Sequence, residues 1–216
     1  KSNTKKIIYY LSLSLSLTLI LYFLFLFNIY INLSYAILEF TYLKIFIAAL
    51  EEEIQNMDFF HLSGVGKINA AFTCLELIYK FNPSVIINYG TAGAVNKNCK
   101  GLIECTKFYQ RDMDARGLMN FNLGETPFDN INEIITNENG YSCGTGDSFV
   151  NHEIEMNVDI VDMEAYSIAK VCKLKKVEFR CFKYITDEAD KNSNNDWLQN
   201  CKKGAKDFYK FHKSII

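Results

Sequence analysis

LKIFIAALEEEI, residues 43–54, is the stretch from which the fold is read. Leu43 to Leu50 is an apolar run of one strand's length, interrupted only by Lys44. Such a run suits a strand buried on both faces of a parallel sheet. Glu51-Glu52-Glu53 follow it at once, and in open α/β sheets ligands gather beyond the carboxyl ends of the strands.

The same grammar continues downstream. Gly64-Val-Gly-Lys leads into a helical pattern through Lys80, with Ala70, Leu75, Ile78 and Tyr79 near one face, and Pro83 ends it. Val85 to Asn88 is the next strand, closing on the turn-like Gly90-Thr91-Ala92-Gly93. Leu102 to Phe108 and Tyr141 to Gly144 read as strands, Met163 to Lys173 as a helix, and Val177 to Ile185 as a further strand. A last helix, from about Asp196 to His212, carries Trp197, Cys201, Ala205 and Phe208 as its buried stripe. Alternating strands and helices predict an α/β fold of three layers, α/β/α, around a mainly parallel mixed sheet.

Upstream of Leu43 the composition changes. From Ile7 to Ile37 there is no charged residue, Lys1, Lys5 and Lys6 precede the run, and Ile7 to Phe27 is long enough to cross a bilayer as a helix. Ser34-Tyr35-Ala36 resembles a signal cleavage site. Residues 1–42 are therefore read as a hydrophobic segment distinct from a catalytic domain over 43–216. An anchor, a secretion signal and a non-native extension all stay open for it. Lysines before a span, with Glu39 after it, would place the remainder outside the cytosol. The cysteines argue the other way. There are seven, an odd number with no C-x-x-C, which fits a reduced, cytoplasmic domain better than a disulfide framework or a zinc site. A net charge of -2 with no basic cluster argues against nucleic acid as a partner.

Taken singly, the polar clusters have bland explanations: capping for Asp162-Met163-Glu164 at a helix start, a turn for the glycines, a solvated loop for the acids around Asp187. Their order is more informative. AALEEEI, SGVGKINAA, VIINYGTAG, TGDSFV, VDMEAYSIAKVC and YITDEAD follow one another. This series resembles the methylthioadenosine/S-adenosylhomocysteine nucleosidase family, within the purine nucleoside phosphorylase superfamily, from about Leu43 to the chain's end.

The resemblance implies hydrolysis of the N-glycosidic bond of a purine nucleoside, such as 5′-methylthioadenosine or S-adenosylhomocysteine, with release of adenine. That bond breaks through a cation-like sugar, so the base must be protonated and water must be activated on the opposite face. The resemblance makes Asp187 the acid toward N7 of the purine and Glu53 the group that holds and deprotonates water. Glu164 would accept hydrogen bonds from the ribose hydroxyls, with Met163 packed beside the sugar. Phe149 would stack on the base, the Val150 backbone would read its edge, and Thr91 would stand near the water. Lys183 occupies a place where the family has Arg. No cofactor or metal is implied, and a homodimer is the family's expectation.

Related phosphorylases carry an Arg two residues before the Gly of GTAG, where this chain has Asn88. A phosphate nucleophile needs such a cation, so water is favoured. Arg111 and Arg116 in QRDMDARGL offer another anion site, unless that loop is held by its own Asp–Arg pairs. Two alternatives therefore accompany the hydrolase: a phosphorylase or other purine nucleosidase of the superfamily, and an inactive membrane-anchored relic. The second arises because Ile54 to Ser63 is far shorter than in the family, so the sheet should lack a hairpin at one edge and Glu53 opens a truncated segment.

Overall fold

The computed structural model describes residues 17–32, 42–189 and 193–215. The amino-terminal lysines, Ile7 to Ser16, Ser34-Tyr35-Ala36, Glu39 and Asp190 lie outside them. The chain forms two compact units, Lys1–Tyr42 and Leu43–Ile216. In the first, residues 17–32 form helix α1, whose large apolar side chains, Phe23, Phe25 and Phe27 among them, are exposed. Among the described residues no helix is long and apolar enough to cross a membrane.

The second unit runs β1 (Lys44–Ala48), α2 (Glu51–Ile54), β2 (Phe60–Leu62), α3 (Lys67–Phe81), β3 (Val85–Ala94), β4 (Leu102–Gln110), β5 (Glu133–Ile135), β6 (Tyr141–Thr145), β7 (Ile160–Asp162), α4 (Ala165–Lys175), β8 (Glu178–Asp187) and α5 (Ser193–His212). Its strands lie in the order β2-β1-β3-β7-β6-β4-β5, and β8 pairs with both β3 and β4. The strands β3, β7, β6, β4 and β8 therefore close on one another, with β1 and β2 extending the sheet from β3 and β5 from β4. Pairing is parallel in β1·β2, β1·β3, β3·β8, β4·β6 and β6·β7, and antiparallel in β3·β7, β4·β5 and β4·β8. This is the mainly parallel mixed sheet that the alternating pattern predicts.

Three layers follow from the two-residue period of the strands. In β1, Ile45 and Ile47 enter a core shared with Ala70, Cys74, Leu77 and Ile78 of α3 and with Ile168 and Cys172 of α4. Phe46 and Ala48 point the other way, into a core with Ile54, Phe60, Ala205 and Phe208 of the α2 and α5 side. Strand β8 alternates likewise, Phe179 and Cys181 against Phe182 and Tyr184. All seven cysteines are free and buried.

Two local expectations are corrected. In α3 the buried stripe is Ala70, Cys74, Leu77 and Ile78, whereas Tyr79 is 70% exposed and accepts a hydrogen bond from Lys175 Nζ at 2.6 Å. The helix ends on Asn82 at φ 46°, before Pro83. The second concerns GTAG, which is no turn at the end of a strand. β3 continues through it to Ala94, bending only by a register shift against β8 between Ala92 and Gly93. Glycine serves close approach there instead. A Cβ at Gly90 would lie 3.2 Å from Glu53 Oε1 and from Lys183 Nζ. At the shortened edge, residues 54–63 supply no hairpin, only the end of a four-residue helix and the three-residue strand β2.

Candidate active site

The carboxyl-terminal parts of β1, β3, β7 and β8 open on a cavity of about 300 Å³. That is room for a small molecule at the lower end of known ligand sites. Glu53, Thr91, Phe149, Val150, Met163, Glu164 and Asp187 line it, together with Leu50, Val65, Gly93, Arg111 and Trp197.

Glu53 sits at the third position of α2 and is 5% exposed. Its Oε2 accepts the Leu50 N–H at 3.2 Å, which closes the first turn on itself. Its Oε1 accepts both the Thr91 N–H and the Thr91 hydroxyl, each at 2.7 Å. The short segment after Glu53 therefore does not leave the carboxylate loose, because β3 holds it from the other side. The Thr91 hydroxyl in turn accepts the indole N–H of Trp197 at 3.0 Å.

Glu164 precedes α4 and is nearly fully buried, its Oε1 accepting the Gly66 N–H at 2.9 Å. Burial, with the charge of Asp162 added, raises its carboxyl; Lys183 and the Gly66 amide oppose this, and the balance leaves it at about 7. Asp187 ends β8. Its Oδ2 accepts the Thr186 hydroxyl at 2.8 Å and its Oδ1 the Ala189 N–H at 2.9 Å. Gly93 faces it, and a Cβ there would stand 2.9 Å from Asp187 Oδ1.

Lys183 is absent from the cavity wall. It is 1% exposed, and its Nζ lies 2.8 Å from Asp162 Oδ2. Burial disfavours charge on both partners, yet each keeps the other ionised. Asp162, which also accepts the Thr145 hydroxyl at 2.5 Å and the Ala165 N–H at 2.8 Å, stays below the usual carboxylate range, and Lys183 stays well above its usual value. The expected ligand-binding cation is thus an internal support for the residues beside it. Asp162 plays the capping part expected of an acid at a helix start.

The loop around Arg111 divides its tasks. Arg116 does pair with Asp114 at 2.7 Å, and also with Glu155 at 2.5 Å. Asp112 pairs instead with Lys67 at 2.5 Å and accepts the Asp147 N–H at 2.8 Å, while the Lys67 N–H donates to Asp147 Oδ1 at 2.8 Å. Arg111 turns toward the cavity and donates to Ser148 Oγ and Gly146 O, both at 3.2 Å, and to the Ser148 carbonyl. Among the described residues no metal-binding group of His, Cys, Asp or Glu occurs.

Set against known proteins, residues 143–216 match the family model of the phosphorylase superfamily. Futalosine hydrolase of Helicobacter pylori strain 26695 has the same fold: TM-score 0.72 at 22% identity, covering 81% of this chain and 97% of that one. The 5′-methylthioadenosine/S-adenosylhomocysteine nucleosidase of Staphylococcus carnosus is 31% identical over 160 residues, 62% of this chain and 69% of the relative. That of Anoxybacillus flavithermus is 30% identical over 171 residues, 66% and 73% of the two chains. Fold and cavity define a member of the nucleoside phosphorylase superfamily. The chain belongs to its 5′-methylthioadenosine/S-adenosylhomocysteine nucleosidase family, and with it to the N-glycosidic bond hydrolases.

Trp197 and Val65 are among the cavity residues that went unassigned in the sequence. Trp197 reads there only as part of an apolar stripe, and Val65 only as the middle of GVGK. Neither position carries a local signal of its cavity role, because the cavity is assembled from distant segments.

Proposed function

We propose that the protein hydrolyses the N-glycosidic bond of a purine nucleoside with an apolar 5′ group, as in 5′-methylthioadenosine. One observation carries this reading: Glu53, Glu164 and Asp187, from α2, the start of α4 and the end of β8, converge on one cavity. Asp187 donates a proton toward N7, so the purine leaves as a neutral base. Glu53 takes a proton from water, whose oxygen bonds to C1′ as the C1′–N9 bond breaks. Glu164 accepts from the ribose hydroxyls, and Met163, Phe149 and Val150 enclose sugar and base.

Water rather than phosphate is supported by what surrounds the cavity. Asn88 stands where the phosphorylases carry their Arg; it is buried and donates its amide to the Ile47 carbonyl at 3.1 Å. Arg111 is the arginine in the wall, and both its Nη atoms donate to the 146–148 loop. The apolar 5′ group fits a wall containing Val65, Leu50, Met163 and Trp197.

The test is incubation with 5′-methylthioadenosine in phosphate buffer, followed by product analysis. Free methylthioribose with adenine is expected; methylthioribose 1-phosphate would overturn the hydrolytic reading. Asp187→Asn is expected to lower kcat by at least about 100-fold, the lower range for loss of a general acid. Full turnover in that variant would remove the acid assignment.

A further inference from the structure

Trp197 is the chain's only tryptophan. It stands in the cavity wall with its indole Nε1 3.0 Å from Thr91 Oγ1, and that hydroxyl lies 2.7 Å from Glu53 Oε1. The direction of this chain is fixed by the chemistry of its ends. An indole N–H only donates and an ionised carboxylate only accepts, so the hydroxyl between them receives from one and gives to the other. With the Thr91 N–H on the same oxygen, Oε1 is held by two donors from one residue. Among the described residues Oε2 has a single donor, the Leu50 N–H at 3.2 Å, and keeps a lone pair for another proton.

We propose that Trp197 is a positioning residue for the water-activating carboxylate, acting through Thr91: its N–H orients the hydroxyl so that Glu53 Oε1 is pinned and Oε2 faces the water. This rests on the reading of Glu53 as the base. An apolar ring would serve the cavity wall equally well, and only the N–H distinguishes the two roles. The link also ties α5 to α2 across the end of β3, which steadies Glu53 where its own segment is shortest.

The experiment uses the full chain as Trp197→Phe, Thr91→Val, the double variant, Thr91→Ser and Glu53→Gln. Steady-state kinetics on 5′-methylthioadenosine and, where the indole is retained, its fluorescence emission are measured. Trp197→Phe keeps an aromatic ring without the N–H and is expected to lower kcat about tenfold with KM within about twofold, the scale of one hydrogen bond to a charged group's support. Thr91→Val should also lower kcat, and adding Trp197→Phe to it should cost no more, because the link is already broken. Thr91→Ser retains the hydroxyl and should stay sensitive to the Trp197 change. The Trp197 emission should shift in Thr91→Val, where the indole loses its acceptor, whatever happens to turnover. Additive losses in the double variant, a loss confined to KM, or unchanged emission in Thr91→Val would overturn the link. Turnover retained in Glu53→Gln would instead remove the base, and with it the catalytic use of a link that coupling and emission had established.

Discussion

Glu164 is a carboxyl whose surroundings work against its charge. Burial and Asp162 hold it at about 7. In the free protein it is therefore largely neutral below that pH, and in the proposed role it would then meet the ribose hydroxyls as a weaker acceptor with one oxygen protonated. In the proposed role those hydroxyls would donate to the ionised form and favour it, so the bound complex should keep Glu164 charged to lower pH. The expected outcome is an acid limb in kcat/KM near pH 7 and a limb in kcat displaced downward, since the two report free and bound enzyme. Glu164→Gln should flatten the first. Stability follows the same group with a definite sign. A raised folded pKa contributes stability that is full below about 4.5 and lost as pH rises through about 7. Glu164→Gln, melted across pH 5 to 8, should therefore gain on the parent as pH rises, by up to about 3 kcal/mol. A gain independent of pH would contradict the assignment. Gly93 makes a steric case at the same scale. Its Cβ would meet Asp187 Oδ1 at 2.9 Å and Ala189 Cβ at 3.1 Å. Gly93→Ala would crowd Asp187, and if that residue is the proposed acid a loss in kcat on the order of 100-fold is expected, as for an ångström-scale misplacement of a reacting group. Unchanged kinetics would show that Asp187 has room to move without consequence.

At the scale of elements, the cavity depends on a charged cluster of which Arg111 alone reaches its wall. Lys67 begins α3, Asp112 and Arg111 follow β4, and Asp147 follows β6; together they fasten the 146–148 loop that delivers Phe149 and Val150. Arg111 holds two carbonyls and a hydroxyl of that loop with one planar fork, a geometry that Lys lacks. Arg111→Ala and Arg111→Lys should both raise KM about tenfold while kcat changes less, because in the proposed reading the loop encloses the base and does not carry the proton donor. A kcat loss at constant KM would place Arg111 in the chemistry instead. What could be read in advance divides along similar lines. The strands with sustained apolar runs, β1, β3 and β8, and the long helices were legible because periodicity survives without neighbours. The three-residue strands β2, β5 and β7 were not, since three residues hold no period. GTAG read as a turn because glycine ordinarily marks one; only the approach of Glu53, Lys183 and Asp187 explains it inside a strand. Glu53, Glu164 and Asp187 were visible as motif residues flanking strands and a helix. Lys183 was misplaced because its partner, Asp162, is 21 residues away and its burial is a property of the assembled sheet.

On the scale of the whole molecule, the strands explain why the site can tolerate its shortened edge. β3 and β8 are the longest strands, ten residues each, and both belong to the group that closes through β7, β6 and β4. Thr91, Gly93, Asp162 and Asp187 are carried by that group, whereas Glu53 stands in α2 just ahead of the shortened segment, which supplies only the helix end and the edge strand β2. The closing strands hold the site from within, and the edge contributes Glu53, which β3 fixes by two hydrogen bonds. Among the described residues, every buried cluster is built from residues at or beyond Leu43, and so is every residue of the cavity wall. A chain of residues 43–216 should therefore fold and turn over nucleoside with the full chain's kcat/KM. Its Tm should lie within about 3 °C of the full chain's, the shift that about 1 kcal/mol produces in a domain of this size. Thermal melting and steady-state kinetics on the two chains decide it. A Tm lower by 10 °C or more, or lost turnover, would mean that residues 1–42 support the domain in a way its core does not require.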